Sequence, residues 1–95
     1  MNIKELHPQE KTVSVASLFK GELGNVAAIK ILQGEKLKEH STQTPALLIC
    51  IAGKAFFENE KGLKETLLPG DYVHIEPMTK HWVTGVEQCH LVLIK

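Results

Sequence analysis

The stretch "EHSTQTPALLICIAG", residues 39 to 53, sets a histidine against a run that is almost wholly apolar and closes on glycine. An imidazole so placed serves either as a metal ligand or as a hydrogen-bonded polar contact in an apolar pocket. The chain has 5 histidines: His7, His40, His74, His81 and His90. Its 2 cysteines, Cys50 and Cys89, form no CxxC pair and no disulfide framework, and apolar neighbours mark them as reduced, packed thiols. A catalytic thiolate needs a basic or helix-terminal setting, and nothing around Cys50 supplies one. Tyr72 is the only tyrosine, and every basic residue is a lysine, so no arginine cluster marks a nucleotide diphosphate site.

These side chains must be carried by short strands. No stretch shows a helical stripe or an internal repeat, and a helix is expected at most as a turn near the N-terminus. Residues 12–19 ("TVSVASLF") alternate in their first half before two glycines and an asparagine break the pattern. Further runs follow at 26–32, 36–42, 46–52, 54–58, 63–68, 72–75, 81–86 and 90–95, separated by Gly, Pro, Asn and Asp. "ALLICIA" (46–52) is apolar on both faces, as a strand covered on both sides would be. Many short strands with Gly/Pro punctuation indicate an all-β barrel or sandwich. At 95 residues the chain is read as one domain, 1–95, able to bury one modest core.

Composition excludes some partners. With 11 basic and 11 acidic residues the formal net charge is zero, which leaves no basic footprint for nucleic acid and permits self-association. The polar start "MNIKELHPQEK" has no apolar signal region, and "ALLICIA" is too short to span a bilayer. A cytoplasmic protein without membrane contact is the expectation.

The glycine, proline and histidine spacing resembles the cupins, small β-barrels of the jelly-roll type. Their first motif runs G, five residues, H-x-H, three or four residues, E, six residues, G. Gly34 is followed by five residues and His40, and Gly53 closes the motif, while Thr42 stands at the second histidine position and Ala46 at the glutamate. Their second motif runs G, five residues, P-x-G, two residues, H, three residues, N. Gly70 opens it and His81 is in register, with Glu76 at the proline position, Met78 at the glycine and Gly85 at the asparagine. The motifs occupy 34–53 and 70–85, separated by the short spacing usual in small bacterial members. The likeness is closest to one-domain members with H-x-T in the first motif, which imply no settled reaction.

In the family the three histidines and the glutamate bind a divalent metal such as Zn, Ni, Fe or Mn. The resemblance therefore implies His40 and His81 as metal ligands; His74, which matches no motif position, is a separate candidate for a third. On a continuous strand His40 and Thr42 would share the inward face, and Ala46, Leu48 and Cys50 would line an apolar pocket floor. Zinc centres usually take three protein ligands, and oxygenase iron takes two histidines and a carboxylate. Thr42 and Ala46 leave two ligands of four. His74 shares a face with Tyr72 and is better read as a solvent-side or interface residue; His7 and His90 are read as structural or surface positions. Trp82, opposite in parity to His81, should face away from the pocket.

These residues fit a small-molecule binding or sensing protein with His40, Thr42 and His81 as polar contacts and a weakly held metal at best. The alternative is a metal-dependent enzyme of dioxygenase, decarboxylase or isomerase type. A metal-free epimerase using a histidine base and Tyr72 as acid has the least support. Exposed edge strands point to a homodimer, with Phe19 and Trp82 as interface aromatics.

Overall fold

The computed structural model describes all residues, 1–95. After one 3-10 turn at Ile3–Leu6, nine strands follow: β1 (Val13–Lys20), β2 (Asn25–Ile31), β3 (Lys36–His40), β4 (Ala46–Ala52), β5 (Ala55–Asn59), β6 (Lys64–Leu67), β7 (Tyr72–Ile75), β8 (His81–Gly85) and β9 (Cys89–Ile94). They form two antiparallel sheets, one of five strands in the order β1-β2-β9-β4-β7 and one of four in the order β3-β8-β5-β6. From β2 onward the chain passes repeatedly from one sheet to the other, which is how short apolar strands close around a shared interior. No helix is long and apolar enough to cross a membrane.

Strand periodicity decides what faces inward. The rows Ile31–Cys89, Ile29–Leu91 and Cys50–Leu91 meet in register on the inner face of the five-stranded sheet. Phe57 and Val83 do so on the four-stranded sheet. Together they form one core, in which Ile31, Cys50, Ala55, Cys89 and Leu91 have no solvent exposure. "ALLICIA" is fully covered on one face only: Ala46, Leu48 and Cys50 are buried, whereas Leu47 and Ile49 are half-buried and Ile51 is exposed. Its outward side chains lie in register with the exposed Tyr72 and His74 of β7.

Two backbone positions fix strand connections, one beside the core and one beside the histidine pair. Gly53 has φ 79°, and a Cβ there would collide with the Gln88 carbonyl oxygen and lie 2.7 Å from the Cys89 Cα. Only glycine meets both demands. Met78 is the one non-glycine residue with positive φ, at 61°. Its N–H donates to the Thr42 carbonyl at 2.7 Å and so ties the turn before β8 to the segment after β3.

Candidate functional site

His40 and His81 are register partners on β3 and β8. Plain alternation from Leu37, which faces Val83 and the interior, would turn His40 outward. A bulge between Leu37 and His40 restores the inward aim. His81 follows the inward parity of β8, is 2% exposed, and stacks on Phe57 with ring centroids 5.6 Å apart.

Each imidazole is oriented by a backbone carbonyl two residues earlier. His40 Nδ1–H donates to the Lys38 oxygen at 2.9 Å, and His81 Nδ1–H donates to the Thr79 oxygen at 3.2 Å. The two Nε2 atoms then face each other at 2.9 Å. Three contacts need three ring protons, but two neutral imidazoles carry only two. With both Nδ1 atoms committed, the Nε2 lone pairs are left facing one another, and a shared proton on the line between them, or a cation set off that line, satisfies both. Burial holds His81 below its ordinary pKa; the Thr79 carbonyl opposes this, and His40 and Lys95 add to it. A metal ion about 2.1 Å from each nitrogen sets them about 3 Å apart at the right angle of an octahedral site and about 3.4 Å apart at the tetrahedral angle of zinc, so the observed spacing matches the octahedral case. The pair therefore fits two adjacent ligand positions of a divalent ion.

The rest of the expected ligand set does not join them. β3 ends at His40, so Thr42 is not on a strand with it; Thr42 is buried, but its hydroxyl donates to the Thr44 carbonyl at 2.8 Å. Ala46 is buried in the core cluster and offers no donor atom. His74 is corrected as a third ligand: it lies exposed on the outer face of β7, its ring edge-on to Tyr72 at 5.7 Å. Tyr72 is 63% exposed on that face, which removes it as an acid partner for either histidine. No group of three or more His, Cys, Asp or Glu side chains is placed to hold a metal.

The expected pocket floor is also corrected. Leu48 and Cys50 face inward but belong to the packed core. Burial raises the Cys50 thiol pKa, the Ala52 carbonyl opposing this and Asp71 adding to it, and Cys89 is pushed up to about 11 by burial and then Cys50. Both are inert thiols. The cavity is an open cleft to one side, between β3 and the inner faces of β1, β2 and β9, with a volume of about 680 Å³. Its apolar wall is Val13, Val15, Ile29, Leu37 and Leu93, and His40 reaches it with Lys38 and Lys95. The alternation of Val13 and Val15 was the available signal for this wall. Trp82 turns outward as its parity requires and is half-buried under Lys36, whose Nζ is 5.3 Å from the ring centroid.

No protein-family model matches the sequence, and no curated protein does. Solved structures do match in fold. A cupin superfamily protein from Desulfitobacterium hafniense DCB-2 aligns with TM-score 0.86 at 17% identity, over 98% of this chain and 84% of that one. A conserved Klebsiella pneumoniae protein with a double-stranded β-helix domain aligns with TM-score 0.85 at 17% identity, over 99% and 85%. A cupin-like protein from Thermotoga maritima aligns with TM-score 0.74 at 25% identity, over 85% and 66%. The chain has the cupin fold, a double-stranded β-helix of two antiparallel sheets. That likeness defines an architecture on which many chemistries are built.

Proposed function

We propose that this cupin-fold protein binds or senses a small molecule in the cavity beside His40, with a divalent cation held weakly between His40 and His81. The observation that carries the reading is the facing pair of Nε2 atoms at 2.9 Å, each ring fixed by a carbonyl on its other nitrogen. Carbonyl-anchored imidazoles with a free lone pair are what metal-binding histidines require. Two protein ligands leave the remaining positions to water or to the bound molecule, so affinity is low and the ion exchanges. The apolar wall selects a molecule with a hydrocarbon body, and an oxygen or nitrogen on it would reach the His40 end. The enzyme reading has less support, because Thr42, Tyr72, His74 and Cys50 are each spent or turned elsewhere.

Calorimetric titration of untagged protein with Zn or Ni tests the reading. At pH 7.5 the wild type should bind one ion with a Kd in the range of about 10–1000 μM, weak against structural zinc sites. His81→Ala should abolish that binding while circular dichroism stays β-type. A proton and a metal ion compete for the same Nε2 lone pairs, so affinity should fall as pH drops, and because burial holds His81 below its ordinary pKa that ring resists the loss until the pH is lower still. Unchanged binding in His81→Ala would place the ion elsewhere and overturn the proposal.

A further inference from the structure

The outer face of the five-stranded sheet carries a second group of buried titratable side chains, remote from the pair on β3 and β8. His7, Lys30 and His90 are only 8%, 6% and 5% exposed. Ser14, Lys30 and His90 lie in one row across β1, β2 and β9, since Ser14 pairs with Lys30 and Lys30 with His90. His7 descends on that row from the N-terminal segment. Its Nδ1 is hydrogen-bonded to the Ser14 hydroxyl at 2.8 Å, and Lys30 Nζ donates to the neighbouring Pro8 carbonyl at 2.8 Å. Residues 7 and 8 thus supply the polar pins between this segment and the sheet.

The row has no counter-charge. His7 and His90 sit with ring centroids 5.8 Å apart, and His7 Nε2 and His90 Nδ1 are buried without a hydrogen-bond partner. From β2 comes the Lys30 ammonium, from the segment itself Lys4, from β1 the neutral Ser14, and from β4 only Ala52, opposite His90. No carboxylate is among the groups whose charge acts on either ring. A proton on either imidazole would be a buried positive charge set beside Lys30, with nothing to balance it. Burial, then Lys30, lowers the His7 pKa; burial, then His7, Lys4 and Lys30, lowers that of His90.

We infer that His7 and His90 form an acid-sensitive latch that holds residues 3–10 on the outer face of the five-stranded sheet and releases them as pH falls. When the segment lifts, both rings reach water and accept protons in the ordinary histidine range, near pH 6.5. The docked state refuses those protons, so docking is fully favoured above that range. It is lost as pH falls from there toward the lowered docked values. The barrel does not depend on the latch, because β1 is laddered to β2 along its length.

Backbone 15N relaxation and amide shifts of residues 3–10, with His7 and His90 ring resonances, measured from pH 7.5 to pH 5.0, test this. In the wild type the docked-to-released ratio should fall progressively over that range, because both docked rings hold their pKa below the released value. His90→Gln removes one titrating ring without costing a bond at Nδ1, and its pH dependence should be shallower, near one proton instead of two. A wild-type segment that stays rigid at pH 5.0 while β-strand resonances persist overturns the latch. So does a His90→Gln profile identical to that of the wild type. Should the variant be loose at every pH, the wild-type titration alone decides.

Discussion

Met78, with φ 61° and its side chain 73% exposed, stands where the family pattern has glycine. A left-handed L-residue costs about 1–2 kcal/mol, and glycine recovers this less about 0.5–1 kcal/mol of chain entropy. Met78→Gly should therefore stabilise the fold by about 0.5–1 kcal/mol in urea titration. It should leave metal affinity unchanged, since His81 is positioned by Thr79 and Phe57. The converse question at this scale is why the facing histidine pair has no further ligand beside it. Ala46 faces inward on β4, and Thr42, though buried, lies in the turn after β3 with its hydroxyl spent on Thr44. Ala46→Glu, from an inward-facing strand position, should tighten Zn or Ni binding, whereas Thr42→His, from the turn beyond β3, should add little. Calorimetry on the two single variants at pH 7.5 checks this. A gain from Thr42→His alone would mean that the turn can bring a side chain up to the two imidazoles.

At the scale of elements, Gly53 sets how β4 hands over to β5, pressed against the Gln88–Cys89 backbone. Gly53→Ala joins a positive-φ penalty to a backbone collision and should cost about 2–5 kcal/mol in chemical unfolding. Phe57→Ala, which empties the platform under His81, should cost about 3–5 kcal/mol and weaken metal binding as the ring loses its support. The strands themselves were legible, because turn residues punctuate nine apolar or alternating runs and the two glycine–histidine spacings fall in register. The inward parity of Ala46, Leu48 and Cys50 was legible for the same reason. Their packing was not, since alternation tells which way a side chain points and not whether space remains in front of it. The bulge between Leu37 and His40 adds a residue that no pattern in "KLKEH" marks. The His7–His90 contact joins distant parts of the chain through the β2–β9 register, and local sequence carries no trace of it.

At the scale of the whole molecule, zero net charge and exposed Val15, Leu18 and Phe19 on the edge strand β1 bear on assembly. We propose a homodimer in which this edge meets a second copy, covering unpaired strand groups that are otherwise open to aggregation. Light scattering at tens of micromolar should give twice the chain mass, and Phe19→Lys should shift it toward the monomer. A wild type that is monomeric at that concentration would remove the proposal. The placement of the two histidines has a further consequence. His81 stands on a strand flanked on both sides, whereas His40 stands on an edge strand held by β8 alone and interrupted by a bulge. The cavity runs along the seam between that edge and β1. One side of the site therefore has two strand neighbours and the other only one, and on the proposed small-molecule function the seam is the side expected to part for a guest. Hydrogen exchange should find β3 amides opening well before those of β8, and a bound guest should slow β3 while leaving β8 as it was.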